Sequence, residues 1–277
     1  MADEDQILYD VSDKVAVITL NRAHRANAQT MALLDDLNAA FERAASDEDV
    51  RVIVLRANGK HFSAGHDLSG GGGPRPAKMT LQDIYAIETR KYLNYSLSWR
   101  NIPKPTIASV QGKAIAGALL LVWPMDLIVA AENAEFSDPV VWMGIGGVEY
   151  HGHTWEFGPR KAKEILFTGR AVGAREAEQI GMVNKVVPLE SLQEETMALA
   201  NQIAQNDPFG LRQAKRAVNQ TLDVQGFYAA IQSVFDIHQT GHGNALSVTG
   251  YPVLARLDGM KEKLKDQGGT APAGDTA

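Results

Sequence analysis

The chain has 277 residues, 45% of them hydrophobic, and no cysteine. That length allows one large core, or a core with a helical appendage; disulfides, a thiol nucleophile and a thiolate metal site are excluded. A formal charge of −6, with no stripe of Lys and Arg to neutralise phosphates, argues against a nucleic-acid partner.

The acidic start Met1-Ala2-Asp3-Glu4-Asp5 is unlike a signal or transit peptide. Further on, Val15-Ala16-Val17-Ile18-Thr19-Leu20 and Val50-Arg51-Val52-Ile53-Val54-Leu55 are short β-branched runs that read as strands. Between them, Met31, Leu34, Leu37 and Phe41 carry helical spacing over residues 30–45. The alternation recurs with a strand at 106–110, a helix at 116–123 and a strand at 127–131, then a helix at 174–179 and a strand at 183–187. Repeats of this kind predict an α/β fold with a parallel sheet covered by helices. No Gly-x-Gly-x-x-Gly follows the first strand, so dinucleotide binding has no support. From Pro188 the pattern turns helical, at 189–205, at 208–220 with Pro208 at a helix start, and at 227–239. The apolar stripe Leu192, Thr196, Leu199 and Ile203 in the first of these is expected to be covered by a neighbouring subunit. The longest apolar run, 114–125, is shorter than the roughly 20 residues of a membrane span, so a soluble cytoplasmic protein with no membrane partner is expected. Ser69-Gly70-Gly71-Gly72-Gly73-Pro74-Arg75-Pro76 reads as a mobile loop, a candidate lid.

Two segments carry chemistry. Lys60-His61-Phe62-Ser63-Ala64-Gly65-His66-Asp67-Leu68 sets a glycine directly after a strand, and Gln111-Gly112-Lys113-Ala114-Ile115-Ala116-Gly117-Ala118 does so at the start of an apolar helix. Two backbone N–H groups aimed at one point stabilise charge developing on a carbonyl oxygen, which is enolate chemistry. The plain alternatives are a turn at Gly65 and a packed Ala/Gly helix start at Gly117.

With Asn21-Arg22-Ala23-His24-Arg25-Ala26-Asn27-Ala28 upstream, these motifs in this order resemble the crotonase superfamily, the enoyl-CoA hydratases and isomerases, over about residues 7–264. The resemblance implies a crotonase-like spiral of ββα turns. The chain then divides into a crotonase-like core at 1–187 and a C-terminal helical assembly region at 188–266, and a composition rich in Gly, Ala, Thr and Pro makes 267–277 a disordered tail. The resemblance also implies a homotrimer or dimer of trimers, and a coenzyme A thioester as substrate with no bound cofactor. The N–H groups of His66 and Gly117 become the oxyanion donors. Arg25, Ala26, Ala64, His66, Asp67, Leu68 and Gly117 become the acyl-CoA binding positions, with Arg22, Arg25 and Lys60 as cations for the phosphates.

The hydratases of that family divide acid and base work between two glutamates. Alignment on Gly117 puts Leu120 at the first position, and alignment on Ala134-Glu135-Phe136-Ser137-Asp138-Pro139 puts Val140 at the second. Neither can move a proton. The loop Gly144-Ile145-Gly146-Gly147-Val148-Glu149-Tyr150-His151-Gly152-His153 offers a replacement, with Glu149 as candidate base or nucleophile and His151 or His153 as its partner. His-x-His spacing is a weak metal signal, and no metal is expected. Trp142, Met143, Trp155 and Phe157 read as acyl-pocket walls or core, and His238 and His242, with Gly241 and Gly243, as a helix end. The expectation is an acyl-CoA-processing enzyme; the alternatives are a non-catalytic acyl-CoA-binding protein of the same fold, or a C–C hydrolase or isomerase.

Overall fold

The computed structural model describes residues 5–68 and 79–254. The glycine-rich loop at 69–76 and the tail at 267–277 lie outside the described residues. The strands are β1 (Ile7–Ser12), β2 (Val15–Leu20), β3 (Val52–Ala57), β4 (Thr106–Val110), β5 (Lys113–Ile115), β6 (Leu127–Ala131), β7 (Glu135–Ser137), β8 (Val172–Gly173) and β9 (Lys185–Val187). The helices are α1 (Met31–Ser46), α2 (Leu81–Glu88), α3 (Asn94–Arg100), α4 (Leu119–Val122), α5 (His153–Thr168), α6 (Ala174–Gln179), α7 (Leu192–Ala204), α8 (Pro208–Val224) and α9 (Phe227–Thr249).

One sheet runs β1-β2-β3-β4-β6-β9, parallel throughout except for the antiparallel pair β1 and β2. A smaller sheet, β5-β7-β8, pairs β5 with β7 in parallel and β7 with β8 antiparallel. The result is a mixed α/β fold with helices at the C-terminal end.

Side chains alternate across a strand, so β2 feeds two cores. Ala16, Ile18 and Leu20 face Leu33, Leu34, Leu37 and Phe41 of α1 in one cluster. Val15 and Val17 join Val52, Val54, Ile107 and Val129 under Leu192, Ala200 and Ala204 of α7 in the other. All six β2 residues are buried, as an interior strand covered on both faces requires.

That packing corrects one expectation. The stripe of Leu192, Thr196, Leu199 and Ile203 is not left for a neighbouring subunit: Leu192 and Thr196 are buried, and Leu199 and Ile203 pack against the same cluster. Among the described residues α8 has none buried, and Phe209, Val218 and Val224 stand 65%, 62% and 80% exposed along it. A second correction concerns α9, which does not end at His238 and His242 but continues to Thr249, where Gly250 turns left-handed. Gly241 is in the helix for closeness: a Cβ there would meet Ile145 Cδ1 at 2.8 Å and the Gly144 carbonyl at 3.0 Å. No helix among the described residues is long and apolar enough to cross a membrane.

Candidate active site

The two glycine motifs are stitched to each other. Ser63 N–H donates to the Lys113 carbonyl at 3.1 Å, and Ile115 N–H donates back to the Ser63 carbonyl at 3.1 Å. Beside this bridge, Gln29 N–H donates to Gly65 O (2.8 Å) and Asp67 N–H to Gln29 O (2.9 Å). The Gln29 side chain then spans the gap, donating from Nε2 to the Gly117 carbonyl at 2.9 Å.

Only glycine permits this approach at position 65. Its φ is +83°, and a Cβ would lie 2.6 Å from the Ile115 carbonyl oxygen and 3.1 Å from Gly117 N. Ala116 adopts a φ of +49°, which turns the chain out of β5 so that Gly117 opens a short helical turn. Neither His66 N–H nor Gly117 N–H meets a backbone carbonyl among the described residues. Two neighbouring main-chain donors are therefore held in place by strand pairing while staying free of it.

The His66 side chain is more than a by-product of that backbone. Its imidazole stacks on Tyr92, with ring centroids 4.0 Å apart and 15° between planes. It also covers Gly117 so closely that a Cβ there would come within 2.6 Å of Cε1. His66 Nε2 lies 3.2 Å from Glu149 Oε1, while Nδ1 is buried without a partner. Glu149 itself is 4% exposed, and its Oε2 is also buried without a partner.

The loop that delivers Glu149 is pinned by Asp138. Oδ2 of Asp138 accepts from Val148 N–H at 2.8 Å and lies 2.9 Å from His153 Nε2, too far out of line to be a hydrogen bond. Burial alone would raise the Asp138 carboxyl, but the His153 contact and the two backbone donors bring it below the usual range. His151 packs on His153, ring centroids 4.4 Å apart, and is pushed down to about 4, by burial first and then by the His153 charge. Among the described residues there is no ion pair from Glu149 to His151 or His153. The expected partners are replaced by His66 and, at 3.8 Å from Oε1, His238.

Behind Glu149 stands a third group missed in the sequence. His238 and His242 project from α9 toward Glu88 at the end of α2, each 3.3 Å from one of its oxygens. Burial raises the Glu88 carboxyl, yet its bonds to the two histidines prevail and hold it down at about 2. Burial lowers His238, yet the charge of Glu149 and the Glu88 contact carry it up to about 9.

The remaining predicted positions lie along the rim. Ala64 N–H donates to Ala26 O at 2.9 Å, which brings the upstream motif to the first glycine segment, and Ala26 turns at φ +49°. Arg22 is committed to Asp67 at 2.8 Å and to the Ala28 carbonyl at 2.9 Å, whereas Arg25 and Lys60 are exposed. Leu68 is 38% exposed. Met143 and Phe157 are buried core; Trp142 and Trp155 pack against it. Leu120 and Val140, 2% and 8% exposed, belong to the same apolar cluster.

The enoyl-CoA hydratase/isomerase family model matches residues 10–245. The protein named putative enoyl-CoA hydratase EchA13, of Mycobacterium tuberculosis, is 43% identical over 265 residues, covering 89% of this chain and 83% of its own. The mitochondrial enoyl-CoA hydratase of Pongo abelii is 33% identical over 77% of this chain and 71% of its own. Among solved structures, a probable enoyl-CoA hydratase of Mycobacterium thermoresistibile is 72% identical with a TM-score of 0.88, covering 90% of this chain and 100% of that one. A probable enoyl-CoA hydratase of Mycobacterium smegmatis is 66% identical with a TM-score of 0.86, covering 90% and 99%.

Proposed function

Since the chain belongs to the enoyl-CoA hydratase/isomerase family, we propose that its substrate is an acyl-CoA thioester and its reaction a proton transfer through the thioester enolate. One observation carries this reading: two unsatisfied N–H groups, of His66 and Gly117, neighbour a buried carboxylate, Glu149, whose Oε1 is 3.2 Å from the His66 ring. A buried carboxylate with one oxygen unpartnered is costly to folding and is most readily understood as a reacting group.

The thioester oxygen accepts from both N–H groups. Glu149, with the His66 imidazole beside it, takes the proton from the carbon next to the carbonyl. The electrons of that C–H bond form a carbon–carbon double bond, and the carbonyl electrons move onto oxygen, where the two donors stabilise them. Returning the proton to the same carbon exchanges it, and returning it to a conjugated carbon shifts a double bond. Arg25, Ala26, Ala64, Asp67 and Leu68 line the path of the coenzyme A moiety, which remains joined as the thioester. Hydration by a pair of glutamates is set aside, because Leu120 and Val140 offer no group that moves a proton. The enzyme works in the cytoplasm as a homotrimer or a pair of trimers, and the exposed Phe209, Val218 and Val224 of α8 favour such an assembly.

The test is exchange of the α-protons of butyryl-CoA in D2O, followed by mass. Wild-type enzyme should exchange them, and Glu149→Gln should bind the thioester while losing roughly 10²–10⁴ of the rate. Binding by the wild type with no exchange on any acyl chain length would favour the non-catalytic alternative.

A further inference from the structure

Glu88, His238 and His242 take no part in the reaction proposed above. His238 and His242 are four residues apart on α9 and so share one face. Glu88 closes α2, which packs against α9. The three are 9%, 4% and 8% exposed, respectively.

Hydrogen bonding decides what they point at one another. His238 Nδ1 lies 2.7 Å from the Gly147 carbonyl, and His242 Nδ1 lies 2.7 Å from the Pro252 carbonyl. A carbonyl oxygen can only accept, so each Nδ1 carries a proton, and each ring turns Nε2 inward, where it either gives a second proton to Glu88 or offers its lone pair to an ion. The two Nε2 atoms are 3.1 Å apart. Glu88 Oε2 is 3.3 Å from one and Oε1 is 3.3 Å from the other. Two imidazole nitrogens and a carboxylate at this range need positive charge among them, which protons on the rings supply in the empty chain and which a metal ion supplies in their place.

The spacing suits a metal ion. Two donors that each lie about 2.0–2.1 Å from a tetrahedral ion are about 3.3 Å apart; here the two imidazole nitrogens are 3.1 Å apart, and each is 3.3 Å from a different oxygen of Glu88, so the carboxylate meets the pair with both oxygens. The outer contacts suit one as well. Metal-bound imidazoles donate their other N–H to a backbone carbonyl, and bound carboxylates accept a further hydrogen bond; Glu88 Oε2 accepts from Gln239 Nε2 at 2.7 Å. Two imidazoles with one carboxylate favour zinc or its first-row neighbours over magnesium or calcium. Glu149 Oε1 lies 3.8 Å from His238 Nε2.

We propose that Glu88, His238 and His242 hold a divalent transition-metal ion of the zinc type where α2 meets α9. This site stands independently of the acyl-CoA reading. The test uses the full, untagged chain, stripped with EDTA, loaded with zinc chloride, desalted and assayed for metal. One zinc per chain is expected, with affinity falling at least roughly tenfold in Glu88→Gln and in His242→Asn. Cobalt(II) loading of the wild type supplies a readout that needs no variant. Two strongly shifted, exchangeable ring N–H resonances should appear in the proton spectrum, from imidazoles bound through Nε2 with Nδ1–H held by carbonyls. Retention of no zinc, retention undiminished in both variants, or a cobalt spectrum without imidazole resonances would overturn the proposal and leave a protonated histidine pair balancing Glu88.

Discussion

Gly117→Ala adds one methyl group and leaves the backbone N–H in place. Its Cβ would lie 2.6 Å from His66 Cε1 and 2.8 Å from each ring nitrogen, where ordinary contact is about 3.5–4.0 Å. Clearing the methyl group moves the imidazole by about 1 Å, either into Tyr92, which stacks on it at 4.0 Å, or off Glu149. The second route stretches the 3.2 Å contact with Oε1 to about 4 Å, beyond hydrogen-bond range. Losing a bond to a charged group, with the carboxylate left buried, costs about 1.5–3 kcal/mol of stability. Displacing a reacting group by about 1 Å slows turnover on the order of a hundredfold. Urea denaturation and α-proton exchange in D2O measure the two effects separately. Gly173→Ala is the control, since nothing lies within 4 Å of a Cβ there, and it should change neither. If Gly117→Ala matched wild type in both stability and exchange, the packing of His66 on Gly117 would not be part of the working site.

Crotonyl-CoA should be hydrated slowly or not at all, because Leu120 and Val140 are buried aliphatics; loss of enoyl thioester absorbance at about ten turnovers per second would contradict this. Light scattering should give three or six chains, with Val218→Asp on α8 shifting the mass downward, and a monomeric wild type at micromolar concentration would refute the assembly. Glu156 is pushed up to about 7 by burial alone. A carboxyl raised in the folded state releases its proton later than in the unfolded chain, so stability falls as pH rises from about 4.5. Glu156→Gln should therefore match wild type at pH 4 and exceed it at pH 8, by on the order of 1–3 kcal/mol given its partial exposure; equal thermal denaturation midpoints at pH 8 would contradict this.

Much of the backbone was legible because it depends on local chemistry. β2 and β3 announce themselves by β-branched runs, α8 by Pro208 at its start, and Gly65 by a turn that side chains do not enter. Boundaries moved, as when residues 116–123 became a tight turn at Ala116–Ala118 followed by α4, and most of all at the end of α9, which runs on to Thr249. Contacts between distant side chains were not legible. Glu149 meets His66 across 83 residues, and Gln239 meets Glu88 across 151, and no local pattern records either. Sequence proximity suggested His151 and His153 instead, but Asp138 draws His153 away. Gly241 and Gly243 read as a helix stop by composition, when their lack of side chains lets α9 approach the Gly144 loop and Leu81. The spacing of His238 and His242 was the one available signal for the cluster with Glu88.

The structure of the enzyme with a bound acyl-CoA tests the central claim most directly. The account predicts the thioester oxygen within about 3 Å of both His66 N and Gly117 N, and the carbon next to it within reach of Glu149 or the His66 ring. A thioester oxygen held elsewhere, or an α-carbon with Leu120 and Val140 as neighbours and no carboxylate or imidazole in reach, would contradict it.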